Sequence, residues 1–453
     1  MEHAWRAAFA LSLAAGSAAA QPTPETQSLR REIDALRADY ETRIQALEQR
    51  LKAAEAAVAA PTAAPAPPAM AVAAPAPTTS GRGLDISMIL SGQYTRSRLD
   101  PASYRIRGFQ LPPDAGTGPG TRGFSLSETE LTLGANIDPY FRGQATFAVT
   151  PENEIEVEEA FVQTTALGKG LTLKAGRFFS GIGYLNSQHR HTWDFADAPL
   201  AYQAMLGTQF ADDGLQLAWV APTDRFFELR AEVGRGRPFP GSDTSRNGAG
   251  AFALSAHVGD DIGVSHSWRA GLSVLDARAS AQELAASDVA GNDITNAFSG
   301  RTRVWVADAV YRWAPNGNPK VTNFKLQAEY LHSRRSGDMT VDTAGAASTD
   351  LFRASQTGWY LQGVYQFMPR WRFGVRTERL SPGSPDFGTN AGLVDLGSGT
   401  PRRHTLMLEH NPSEFSRLRL QVANDRARGS GTSDLQWWIQ YQMSLGAHGA
   451  HGF

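Results

Sequence analysis

The chain has 453 residues, no cysteine and a formal net charge of −2. The missing thiols exclude a disulfide framework and thiolate metal sites, and the near-neutral balance excludes an electrostatic trap for nucleic acid. Aromatic residues at 9% and 44 glycines suit lipid-facing strands, interfacial aromatics and glycine-rich turns.

Residues 1–20 read as a secretory signal peptide, with Arg6 in the n-region, an apolar stretch Ala7–Ala15 and Ala18 and Ala20 in A-x-A spacing. Cleavage is expected before Gln21. Beyond it no run approaches the roughly 18 apolar residues of a spanning helix.

Residues 21–58 are expected to form a coiled-coil stalk. From Ser28 to Val58 there is no Gly or Pro, and Leu29, Ile33, Leu36, Tyr40, Ile44, Leu47, Leu51, Ala54 and Val58 recur at spacings of three and four. A lone helix of this length is marginal in water, so the seam calls for partners, and a homotrimer would satisfy it. The alternative is a helix lying on its own barrel. Residues 59–80, nearly all Ala and Pro, form an extended linker that cannot bury a core.

Residues 81–453 alternate in segments joined by two kinds of connection. Short turns such as Asn136–Pro139, Leu167–Gly170, Ala314–Gly317 and Met368–Arg370 take turns with longer ones, about 97–123, 150–154, 181–207, 236–247, 277–301, 335–355, 381–402 and 427–433. That is the plan of an all-β transmembrane antiparallel barrel of about 16 strands, with short turns in the periplasm and long loops outside. One face of the strands is apolar (Phe227, Leu229, Ala231; Leu418, Leu420, Val422). The other carries Arg142, Lys174 and Arg230, then Arg372, Arg376, Glu378, Arg417 and Arg419. These are expected to line a water-filled lumen or to form a salt-bridge ladder that stiffens the wall.

The third long connection holds Asn186-Ser187-Gln188-His189-Arg190-His191-Thr192-Trp193-Asp194. In length and position it resembles the third extracellular loop of general porins, which implies a loop that folds inward and narrows the channel. His189 and His191 share a side of an extended segment, and Asp194, with Asp197 near enough to join, completes a donor set for Zn²⁺ or a similar ion; the alternative is solvated loop residues. His448 and His451 have opposite parity and point to different faces. No catalytic arrangement stands out, and no cofactor is expected, with Zn²⁺ entering only as cargo or ligand.

The last stretch, from Trp437 to Phe453, alternates with a period of two and ends in an aromatic. It resembles the terminal strand of outer-membrane β-barrels, in which a C-terminal Phe closes the barrel and is read by the barrel-assembly machinery. Taken whole, signal, coiled coil, Ala/Pro linker and barrel resemble a Gram-negative porin. The block Ala175–Pro222, with AGRFFSGIGYLNSQHRHTWDF and LQLAWVAPTD, and the tail GAHGAHGF resemble a family labelled zinc-regulated or TonB-dependent outer-membrane receptors. This chain has no room for the plug and the roughly 22 strands such receptors need.

These readings set the functional expectation: a non-enzymatic diffusion channel in the outer membrane for small hydrophilic solutes, lodged in lipid with its stalk in the periplasm. The resemblance implies divalent metal ions or metal chelates as specific cargo. Two alternatives stand beside it, a plug-less receptor for a metal complex and an envelope tether for which the barrel is an anchor.

Overall fold

Alternation governs the final strand, Asp434–Gly446. Leu435, Trp437, Ile439, Tyr441, Met443 and Leu445 are each more than a third exposed, whereas Gln436, Trp438, Gln440, Gln442 and Ser444 are buried. Glutamines inside and leucines outside is the reverse of a water-soluble sheet, and it is the pattern of a strand whose outer face meets lipid. The computed structural model describes residues 83–446, apart from 128, 244–246 and 430. The signal, stalk and linker readings, and His448, His451 and Phe453, lie outside the described residues.

Sixteen antiparallel strands close on themselves: β1 Asp85–Ser97, β2 Thr129–Asn136, β3 Phe141–Val149, β4 Ile155–Thr164, β5 Leu171–Phe179, β6 Ala211–Val220, β7 Phe226–Gly234 and β8 Ala251–Ile262. The second half continues with β9 His266–Asp288, β10 Asp293–Trp313, β11 Asn323–Val341, β12 Ser348–Met368, β13 Trp371–Ser381, β14 Arg402–Ser413, β15 Ser416–Asp425 and β16 Asp434–Gly446. Two short pieces join the same sheet. Gly123–Leu126 pairs with the outer part of β1, in line with β2, and Val394–Asp395 pairs with Asp288 and Ser287 at the outer end of β9. Closure comes from β1, which pairs with β2 on one side and, from Ser87↔Gly446 to Ser97↔Gln436, with β16 on the other. A closed barrel leaves no strand edge unsatisfied in lipid.

The expected connections at 277–301 and 335–355 are mostly strand. β9 runs 23 residues, β10 and β12 21 each, and β11 19, about twice the 9–11 needed to cross a membrane. The tight turns lie between Asp288 and Asp293 and between Val341 and Ser348. The outer face of these strands explains the discrepancy. On β12 it is apolar from Phe367 through Tyr365 and Leu361 to Trp359, then polar at Thr357, Ser355 and Arg353. Its neighbours change in step, since Trp305 of β10 pairs with His332, Arg303 with Arg334, and Arg334 in turn with Ser355. The polar, arginine-rich stretches look like loop chemistry but keep the period of two, so the sheet continues into water.

The inner face inverts in the opposite sense. Near the periplasmic turns β12 buries Gln366 and Gln362; beyond the polar collar it buries Phe352. Phe352 packs with Phe298 and Phe387 at ring-centroid distances of 5.8 Å and 4.9 Å, within an apolar cluster that includes Leu111, Leu284, Met339 and Val341. The protruding hairpins therefore hold a conventional hydrophobic core.

The lipid face should show a depth dependence. Ile439→Arg, at mid-strand, is expected to cost about 2–4 kcal/mol and Leu435→Arg, near the outer interface, about 0–1 kcal/mol. Equilibrium unfolding from lipid vesicles measures both, and equal costs at the two positions would contradict this placement of the membrane.

Candidate functional site

The segment between β5 and β6, residues 180–210, turns into the barrel. Ile182, Leu185, Asn186, Trp193, Phe195 and Leu200 are among its buried residues, as is every residue of a short helix, α1 Leu200–Leu206. Two glycines permit the approach. Gly183 turns the chain at φ +65° beside Glu329, and a Cβ on Gly358 of β12 would lie 3.0 Å from the Ala201 Cβ.

An irregular segment inside a barrel has backbone groups that no ladder satisfies, and here the wall supplies their partners. The buried carboxylate of Glu329 on β11 accepts from the backbone N–H groups of Leu185 (3.0 Å) and Tyr184 (3.2 Å) and from the hydroxyls of Tyr202 (2.7 Å) and Tyr360 (2.5 Å). Glu232 on β7 accepts from Gly181 N–H (2.8 Å) and Ser180 Oγ (2.5 Å). Glu378 on β13 accepts from Leu200 N–H at 2.5 Å, which places an anion at the start of α1, where free N–H groups favour one.

Arginines hold the carbonyls. Arg417 and Arg419 of β15 donate to His191 O and Trp193 O, both at 2.7 Å. Arg376 of β13 donates to Asp197 O at 2.9 Å, and Arg403 of β14 to Ala198 O at 2.7 Å. Two loop carboxylates complete the anchorage: Asp194 with Arg372 (2.5 Å) and Lys325 (3.0 Å), and Asp197 with Arg376 and Arg403, both at 2.7 Å. Burial would raise the Asp194 carboxyl, but Lys325 and Arg372 outweigh it and hold the group far below the usual carboxylate range. Asp197 is lowered too, against burial, by Arg376 and Arg403.

The charged strand face expected to line the lumen or form a ladder is therefore a clamp as well as a ladder. Its cross-strand pairs exist, with Arg372 and Arg419 both on Glu409 and Glu378 between Arg376 and Arg403. Arg376, Glu378 and Arg419 are buried in it. Arg372 and Arg417 keep partial exposure, 19% and 12% of their side chains. Three more expected lining residues are also half-buried: Arg142 on Asp85 (3.0 Å), Arg230 on Glu228 (3.0 Å) and Lys174 over the Phe161 ring at 4.2 Å.

The expected metal set divides. His189 and His191 do come together, with rings stacked 5.6 Å apart. Asp194 does not join them; its carboxylate is taken by Arg372 and Lys325, as Asp197 is taken by its arginines. The carboxylates that meet the histidines come from the wall. Glu130 of β2 lies 2.7 Å from His191 Nδ1 and 3.3 Å from His189 Nδ1, and Glu158 and Glu159 of β4 lie 3.3 Å and 3.1 Å from the two ring nitrogens of His189. Burial disfavours the His189 imidazolium, but Glu130, Glu158 and Glu159 push its pKa well above the ordinary value. Sequence reasoning missed all three glutamates. The available signal was the doublet Glu158-Glu159, two carboxylates side by side where alternation calls for one.

A protein of Aquifex aeolicus (strain VF5), described as an uncharacterized protein, is 31% identical over 350 residues, covering 73% of this chain and 70% of that protein. No family model matches. Among solved structures, the anion-selective porin from Comamonas acidovorans is 11% identical, covers 80% of this chain and 99% of that one, and has a TM-score of 0.49. OmpT, an outer membrane protein of Vibrio cholerae, gives 11%, 82%, 100% and 0.48 in the same order. The outer membrane channel DcaP of Acinetobacter baumannii gives 12%, 81%, 99% and 0.46. By the extent and identity of the first match, the chain belongs to the same family as the Aquifex aeolicus protein.

Proposed function

We propose that this barrel is an outer-membrane diffusion channel for small hydrophilic solutes, with the 180–210 segment as its constriction. The observation that carries the reading is that segment itself, held across a closed transmembrane barrel by the charges of the wall. Of the expected lining residues, Arg142, Lys174, Arg230, Arg372 and Arg417 keep contact with water, so they would meet a solute. Arg376, Glu378 and Arg419 would act on it only through the loop. A homotrimer is part of the proposal and rests on the apolar seam of residues 21–58, which would stand in the periplasm.

Two finer readings have support. Divalent metal ions or chelates as cargo are favoured by the resemblance of the block Ala175–Pro222 to receptors labelled zinc-regulated. Capture of a metal complex by a receptor is favoured by a cavity of about 590 Å³ between Pro112–Ala115, the end of α1, Arg237–Asp243 and Ser280–Glu283. The tether reading rests on residues outside the described ones.

Removing the Asp194 carboxylate leaves Lys325 without its ion pair and Arg372 with Glu409 alone, so Asp194→Asn is expected to cost about 2 kcal/mol, seen as a lower midpoint of unfolding from vesicles. In planar bilayers the wild-type protein should give small steps grouped in threes, and Asp194→Asn with Asp197→Asn larger or more frequent ones. Folded protein of both kinds that passes no current would end the channel reading and leave the receptor.

A further inference from the structure

β4 carries a β-bulge. Thr146 of β3 pairs with Glu159 and Phe147 with Val157, so Glu158 is the extra residue. A bulge sets two neighbours against one and re-aims a side chain. Here it directs Glu158 and Glu159 together into the barrel, where both reach His189. Opposite them the turn Arg190–Thr192 brings His191 beside His189, and β2 contributes Glu130.

Each carboxylate meets one ring nitrogen, Glu158 and Glu159 on His189 and Glu130 on His191, but Glu130 and Glu158 also converge on a single nitrogen. Glu130 Oε2 and Glu158 Oε2 each lie 3.3 Å from the same atom, His189 Nδ1, and one ring nitrogen carries at most one hydrogen. Glu130, which lies against both histidines, is 2% exposed. Lys174 sits near Glu159 but lies over the rings of Phe161 and Phe178, at 4.2 Å and 5.6 Å, without reaching the histidines. A carboxylate oxygen of Glu130 and one nitrogen from each histidine lie within 4.8 Å of one another.

We propose that Glu130, His189 and His191 form a resident site for a zinc-type divalent cation that fastens the loop to β2, with Glu158 of β4 beside His189 Nδ1. Two imidazoles and a carboxylate match the ligand preferences of zinc and leave its fourth position to Glu158 or water. Glu159 takes the outer position. Its Oε2 lies 3.1 Å from His189 Nε2, where it receives that N–H and turns Nδ1 toward the ion, as carboxylates behind metal-bound histidines do. Near-complete burial of Glu130 and His191 suits a closed structural site rather than a stopping place for cargo. The site is thus independent of whether the barrel conducts.

The test is calorimetric titration of the folded full-length protein with Zn²⁺ at neutral pH, with Co²⁺ absorption as a second readout of ligand geometry. Wild-type protein should bind one ion per chain that His189→Gln with His191→Gln abolishes. Glu159→Gln should weaken it 10–100-fold while leaving four-coordinate Co²⁺ absorption in place. Heat-modifiable mobility on gels establishes that each variant is folded. Absence of binding by the wild type, or unchanged affinity in the folded double variant, would overturn the site.

Discussion

A polypeptide segment that enters a barrel without joining its sheet must have its N–H and C=O groups satisfied by something else. That constraint organises the lumen. Among the described residues, the segment 180–210 meets glutamates at four of its N–H groups and arginines at four of its carbonyls, while Ser273 and Gln421 take the N–H groups of Gly183 and Ala196. Gly181, Tyr184, Leu185 and Leu200 face Glu232, Glu329 and Glu378; His191, Trp193, Asp197 and Ala198 face Arg417, Arg419, Arg376 and Arg403. A wall of one sign could serve only half of these groups. Interspersed acids and bases are what a peptide backbone, itself both donor and acceptor, requires.

The strength of such an arrangement lies in position more than in net stability. Burying Arg376 or Arg403 costs solvation that their ion pairs only partly recover, so apolar residues of similar volume could stabilise the barrel as well. They could not place the loop. Arg403 touches Glu378, Asp197 and a loop carbonyl at once, so a shift of the loop by one residue would strand a charge. A misplaced register would leave a buried charge unpaired at a cost of several kcal/mol, which disfavours other positions of the loop.

How much of this is legible in the sequence depends on whether a feature is local. The strand period, the short turns and the closing alternation around Ile439 are local, and the barrel of about 16 strands follows from them. The inward course of the third connection rests on its place in the order of strands, and the structure agrees. What the residues of that loop touch is not local. Asp194 and His191 are three residues apart, yet one reaches Lys325 and Arg372 on β11 and β13 and the other reaches Glu130 on β2. Linear proximity suggests one metal set; the barrel's curvature separates them, and the bulge in β4 brings in glutamates that only three-dimensional closure can introduce.

The long hairpins carry the same lesson at larger scale. On β12 the period of two runs unbroken for 21 residues, but its meaning reverses partway. In the membrane the outer side is apolar and the inner side polar; beyond Thr357 the outer side turns polar and the inner side gathers Phe352 with Phe298 and Phe387. The solvent outside changes from lipid to water while the lumen changes from charged to apolar, so each face follows its own surroundings. Val394–Asp395 pairs with the end of β9 and Asp386 with Arg353, which ties the 381–402 connection to this raised wall. The 97–123 connection reaches the same wall, where Leu111 pairs with Ala285 and the Gly108 carbonyl accepts from Gln356 Nε2, so connections from both sides of the barrel are gathered onto β9–β12.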